Sequence, residues 1–79
     1  MKIKPGIYRH YKGHNYRVIG VAKHSENLED LVVYKALYDN ELSKFWVRPL
    51  DNFLAEIEIN GKKISRFSFL RNLDNYSNP

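Results

Sequence analysis

The polar chemistry of this 79-residue chain concentrates between Ala22 and Leu37, where His24, Ser25, Glu26 and Glu29 share one loop that leads into a run carrying Tyr34. A histidine beside a serine and two carboxylates invites a hydrolase reading, with Ser25 as nucleophile, His24 as its base and an acid to orient the imidazole. Neighbours in an extended chain point to opposite faces, so His24 and Ser25 do not meet by default. No nucleophile elbow or glycine-rich oxyanion loop accompanies them. The competing structural reading is a polar corner: Ser25 and Asn27 bond backbone amides, and Glu26 or Glu29 holds His24 or Arg48 in place. His10 and His24 with a carboxylate from Glu26 or Glu29 supply ligand types that suit zinc or iron, yet the paired-histidine spacing of a helical metal motif is absent. No catalytic residue, metal ligand or cofactor is assigned on this basis.

A second set of residues suits binding rather than catalysis. Tyr8, Tyr11, Tyr16, Tyr34, Tyr38 and Trp46 lie on four expected strands. A small domain does not bury all of them, and the polar tips of those it does bury need partners. Tyr34 and Trp46 with Arg48, flanked by His10 and the 24–29 loop, form a candidate groove. Exposed aromatics between loops take peptides, modified lysines or unstacked bases. The competing reading makes these aromatics core and covering residues.

The bulk composition bounds the alternatives. At 79 residues the chain makes one domain, and a chain this short buries only about 60% of the surface it exposes when unfolded. Hydrophobic residues at 43% and charged residues at 28% are ordinary for a globular protein. The absence of cysteine removes disulfides and thiolate metal sites and favours a reducing compartment. No apolar run reaches the ~20 residues that cross a bilayer, and no signal-peptide pattern follows Met1. The expectation is a cytoplasmic protein with no membrane partner.

The formal net charge of +4 is unevenly spread. Residues 1–25 hold Lys2, Lys4, Arg9, Lys12, Arg17 and Lys23 and no acid, whereas the acids cluster from Glu26 to Glu58. A basic opening segment attracts phosphates, but +4 is small for a dedicated nucleic-acid binder. The expectation is weak, salt-sensitive binding of nucleic acid at most, and a solvated lysine-lined face is the plainer reading.

The elements that must position these residues read as strands. Ile7–Tyr11 and Tyr16–Lys23 flank a turn with Gly13 at a positive-φ position. On the second strand, alternation puts Tyr16, Val18, Gly20 and Ala22 on one face, with Gly20 marking a bend. Leu31–Tyr38 is rich in β-branched and aromatic residues and is the clearest strand. Ser43–Arg48 follows, ended by Pro49, which cannot donate to a ladder. Leu50–Phe53 is a turn that drops apolar side chains onto the core. Ala55–Ile59 and Lys62–Phe67 flank Asn60-Gly61, the strongest short hairpin signal. Alternation also splits Ser43–Arg48 into two faces, and we expect Phe45 and Val47 in the core, with Trp46 and Arg48 toward Tyr34 and the polar loop. These periods predict an all-β fold, a small SH3-like barrel of five or six short strands over residues 1–71, with a flexible tail over 72–79.

Gly6-Ile7-Tyr8-Arg9-His10-Tyr11-Lys12-Gly13, Tyr16-Arg17-Val18-Ile19-Gly20-Val21-Ala22, His24-Ser25-Glu26 with Glu29, Val32-Val33-Tyr34, Leu37-Tyr38 and Trp46-Val47-Arg48-Pro49-Leu50 with Phe53 together resemble the small bacterial family DUF1653, of unknown function. The resemblance spans roughly residues 6–67, and Asn27 stands where threonine is expected. It implies a compact β domain and transfers no activity. The sequence therefore leaves the function unknown. Its best reading is a non-enzymatic binding module with a groove of His10, His24, Ser25, Glu26, Glu29, Tyr34, Trp46 and Arg48 for a peptide, protein or nucleic-acid partner. A small hydrolase or metal-binding protein on His24, Ser25, Glu26 and Glu29 is the alternative.

Overall fold

In the computed structural model, which describes residues 3–72, the strands are β1 (Gly6–His10), β2 (Asn15–Lys23), β3 (Asp30–Ala36), β4 (Phe45–Pro49), β5 (Glu56–Ile59), β6 (Lys62–Ser65) and β7 (Phe67–Arg71). A four-residue helix, α1 (Leu50–Phe53), follows β4. Five strands form one sheet in the order β4-β3-β2-β1-β7, and β5 and β6 form a separate hairpin. Every pairing is antiparallel. The all-β expectation holds, with seven strands in two sheets among the described residues instead of five or six. Of the tail expected over 72–79, residues 73–79 lie outside the described part.

The turns follow their residue types. Gly13 sits at φ 111° in the β1–β2 turn, where its amide donates to the His10 carbonyl at 2.8 Å. Asn60 and Gly61 both take positive φ, at 52° and 80°, as the tight β5–β6 turn requires. The expected last strand is broken. Lys62–Phe67 is cut at Arg66, whose amide donates to Ala55 O at 3.1 Å and whose carbonyl accepts from the Tyr11 amide at 3.0 Å. Arg66 thereby ties the small hairpin to the large sheet and frees Phe67 to begin β7 against β1.

A bulge changes the face pattern of β2. The β2–β3 register shifts between Val18 and Gly20, so Val18 opposes Tyr34 and Gly20 already opposes Val33. The extra residue, Ile19, is exposed. Past the bulge the phase inverts, and Val21, not Gly20 or Ala22, packs against the core.

The core is largely aromatic. Phe53 and Phe67 stack face to face with centroids 4.0 Å apart and planes 5° from parallel. Tyr8 and Tyr34 meet Phe53 edge-on at 5.5 and 5.6 Å. Val18, Val32, Leu50 and Ile3 complete the buried cluster. Leu50 and Phe53, three residues apart, fall on one side of α1.

The expectation for β4 is reversed. Phe45 and Val47 are 57% and 59% exposed, whereas Trp46 packs against the core. The register explains it: Trp46 lies opposite Tyr34, which is buried, so alternation carries Phe45 and Val47 to the outer face. Apolarity favoured Phe45 and Val47, but the partner strand decided the direction.

Phe53→Ala should cost about 3–5 kcal/mol, as large-to-small core changes do, while Phe45→Ala should cost no more than about 1 kcal/mol. Paired urea melts read both values. At Gly6 an added Cβ would stand 2.6 Å from Arg71 O and 2.7 Å from the Phe69 ring. Gly6→Ala must therefore push β7 off β1. The expected loss is about 1–3 kcal/mol, with amide exchange accelerated along Phe67–Arg71 before the β2–β3 ladder responds.

Candidate functional site

The groove forms where the β1–β2 turn, the β3–β4 connection and the start of β7 meet. It is an open groove of about 590 Å³. Phe67 gives one face of its ring to the core and lines the groove as well. His10 sits edge-on to that ring at 4.9 Å and beside Tyr11 at 4.6 Å. Tyr16 and Tyr34 contribute rings 5.8 and 5.7 Å from Phe67. His14 and Tyr38 stack at 4.0 Å, so the β1–β2 turn is fastened to the β3–β4 connection. Trp46 lies on the β4 side, its Nε1–H donating to Ser43 O at 3.1 Å.

The tyrosine hydroxyls are used by the fold. Tyr16 and Tyr38 share a hydrogen bond at 2.9 Å, and burial together with that bond raises the Tyr16 phenol above its ordinary range. The Tyr16 hydroxyl therefore stays neutral at physiological pH. The Tyr34 hydroxyl accepts from Arg48 Nε at 3.2 Å, and Arg48 Nη1 donates to Asn52 Oδ1 at 2.7 Å. These two neutral acceptors fix the guanidinium, whose Cζ lies 5.4 Å from the Phe67 ring centroid.

The cations of this groove converge on His10. Its pKa lies below the ordinary imidazole value, first because it is partly buried, then because Arg48, Lys12, Arg66 and His14 all repel its charged form. Its Nδ1 accepts the Lys12 amide at 3.1 Å, leaving Nε2 as the protonated nitrogen of the neutral ring. Neither Arg48 nor Arg66 has a carboxylate within ion-pair distance among the described residues. Arg66 Nε is buried with no hydrogen-bond partner there. Asp39 and Glu41 line the groove from the exposed β3–β4 connection.

Of the residues singled out from sequence, His10, Tyr34, Trp46 and Arg48 line this groove. His24, Ser25, Glu26 and Glu29 do not, which corrects the expectation that all eight share one neighbourhood. Their loop closes the end of the β2–β3 hairpin beyond Lys23 and Asp30, whereas the groove opens beside its other end, at Tyr16 and Tyr34. There His24 Nδ1 accepts the Glu26 amide at 3.1 Å, and Asn27 Oδ1 accepts the Glu29 amide at 2.9 Å. Ser25 is exposed, and no bond joins it to His24 among the described residues. Glu29 lines a small hollow of about 140 Å³ with Asp30, Leu50 and Asp51. Arg48 bonds Tyr34 and Asn52 rather than Glu26 or Glu29. Among the described residues no three histidine or acid side chains are grouped to hold a metal ion, and no helix is long and apolar enough to cross a membrane.

The groove also contains Lys12, His14, Tyr38, Arg66 and Phe67, which the sequence reading did not assign to it. Arg66 and Phe67 were hidden by reading 62–67 as one strand. His14 and Tyr38 belong to different connections, and no spacing announces their stacking.

The comparisons agree with this architecture. A crystal structure of a DUF1653 protein from Bordetella bronchiseptica superimposes with a TM-score of 0.85 at 30% identity, covering 91% of this chain and 92% of that one. No curated protein matches the chain. The family model for DUF1653, proteins of unknown function, matches residues 6–69. With that match spanning most of its length, the chain belongs to the DUF1653 family.

Proposed function

We propose that this protein is a non-enzymatic binding module whose groove takes a ligand carrying an anionic group on an aromatic or apolar body. One observation carries the reading: Arg48, Arg66 and Lys12 gather about His10 inside aromatic walls, and the two guanidiniums have no carboxylate partner among the described residues. Charges left unpaired in a part-buried site are costly unless something compensates them. An incoming phosphate or carboxylate does so, and guanidinium matches either with a two-point contact. The groove volume falls within the usual range of small-ligand sites, about 300–1,000 Å³. The lack of cysteine fits action in a reducing, cytoplasmic setting.

Trp46, the single tryptophan, is a built-in reporter. Phenyl phosphate should change its fluorescence saturably, and benzamidine, an aromatic cation of similar size, should not. Arg66→Gln should weaken phenyl phosphate about tenfold or more, since a charged hydrogen bond contributes about 1.5–3 kcal/mol. Equal response to the cation and the anion would reject the reading.

The pH dependence has a definite sign. In the free protein, burial and then the nearby Arg48, Lys12 and Arg66 charges hold His10 below its ordinary pKa. A bound anion offsets those cations and raises it. The complex then binds more protons than the free protein over the interval between the two values, so affinity must rise as pH falls through that interval. Benzenesulfonate, whose own charge is fixed, should bind more tightly at pH 5.5 than at pH 8 by calorimetry. His10→Gln should flatten that dependence.

A further inference from the structure

We infer that the ligand of this groove is a nucleoside monophosphate unit, with its phosphate on Arg48 and Arg66 and its base against the aromatic wall at Tyr11. The inference rests on the anion-binding reading above and narrows it to one chemical class.

Three features select this class. Two guanidiniums line the one groove: Arg48 lies over the Phe67 ring and is held by Tyr34 and Asn52, and Arg66 has its Nε buried and without a hydrogen-bond partner among the described residues. Two such forks about a phosphate can engage several of its oxygens, which one carboxylate does not offer. Beside them Tyr11 is more than a third exposed, backed on one side by His10 and approached by Lys12 Nζ at 5.8 Å from its centroid. A supported, half-open ring of this kind is a stacking platform for a base. The lip is acidic, with Asp39 and Glu41 exposed on it. Those charges repel a polyanion crossing that side, so the groove suits one or two nucleotides rather than a long track.

The unit has two natural sources, a free nucleotide or one residue of a single-stranded chain, and titration separates them. The purified protein is titrated with AMP, adenosine, ribose 5-phosphate, a hexamer of riboadenylate and an acidic hexapeptide, following Trp46 fluorescence and backbone amide shifts. AMP should bind at least tenfold more tightly than adenosine or ribose 5-phosphate, because base and phosphate contacts are both needed. A hexamer that binds much more tightly than AMP assigns a single strand as the source, and equal affinities assign a free nucleotide. In either case the hexamer's log–log salt slope should stay near −0.7 to −1.4, the value for one or two phosphates on a single strand. Tyr11→Ala should lose about tenfold for AMP and little for ribose 5-phosphate, which separates stacking from charge. Thermal melts of the variant confirm that it is folded. Ribose 5-phosphate binding as well as AMP, or a slope steeper than about −3, overturns the inference. Tight binding of the acidic peptide without AMP overturns it but leaves the anion-binding reading standing. No response to any anion overturns both.

Discussion

The stacked pair of Phe53 and Phe67 is the contact on which the rest of this structure depends. A chain of 79 residues has little apolar volume to spend. Here two rings at 4.0 Å do the work of a larger aliphatic core, with tyrosine edges from β1, β2 and β3 closing around them. The pair also joins distant parts of the chain, since Phe53 comes from the helix after β4 and Phe67 from the edge strand β7. Arg48 on β4 lies over Phe67 on β7, so side chains from the two edges of the five-stranded sheet meet although the strands are not hydrogen-bonded to each other. The sheet is therefore curled around the ring pair.

The groove is a consequence of that core rather than an addition to it. A tyrosine packed by its ring must find a partner for its hydroxyl. Tyr16 and Tyr38 solve this together, and Tyr34 solves it with Arg48. The second solution draws a guanidinium inward and holds it with neutral acceptors, so its charge is positioned without being cancelled. Arg66 arrives beside it for a backbone reason, because its amide and carbonyl stitch the small hairpin to β1. Hydroxyl satisfaction places Arg48 and strand joining places Arg66, and His10 feels both.

Much of the fold was legible in the sequence, and the reasons for the exceptions are specific. The Asn60-Gly61 turn, the Gly13 turn and the β-branched run of β3 carry their conformations in their residue types. Gly20 correctly marked an irregularity, but the bulge at Ile19 inverted the face pattern beyond it, and a period-2 count does not register an inserted residue. On β4, alternation defines two faces without saying which is inward. That choice came from pairing Trp46 with Tyr34, a long-range fact. The candidate site was legible in part for the same reason. Tyr34, Trp46 and Arg48 stand on the paired strands β3 and β4, and His10 on β1 meets them across the curled sheet, whereas the His24–Glu29 loop, chemically the most suggestive stretch, lies at the far end of its hairpin. Side-chain type suggested chemistry there, and topology separated it from the groove.

The central claim is that uncompensated charge is focused at Arg48 and Arg66 and is not spread over a generally basic surface. Guanidinium Nε–Hε resonances report each arginine separately. On titration with phenyl phosphate at physiological salt, the resonances of Arg48 and Arg66 should shift together along one saturable curve, while those of Arg9, Arg17 and Arg71 stay in place. Equal, unsaturating shifts at all five arginines would show diffuse surface attraction and contradict the account.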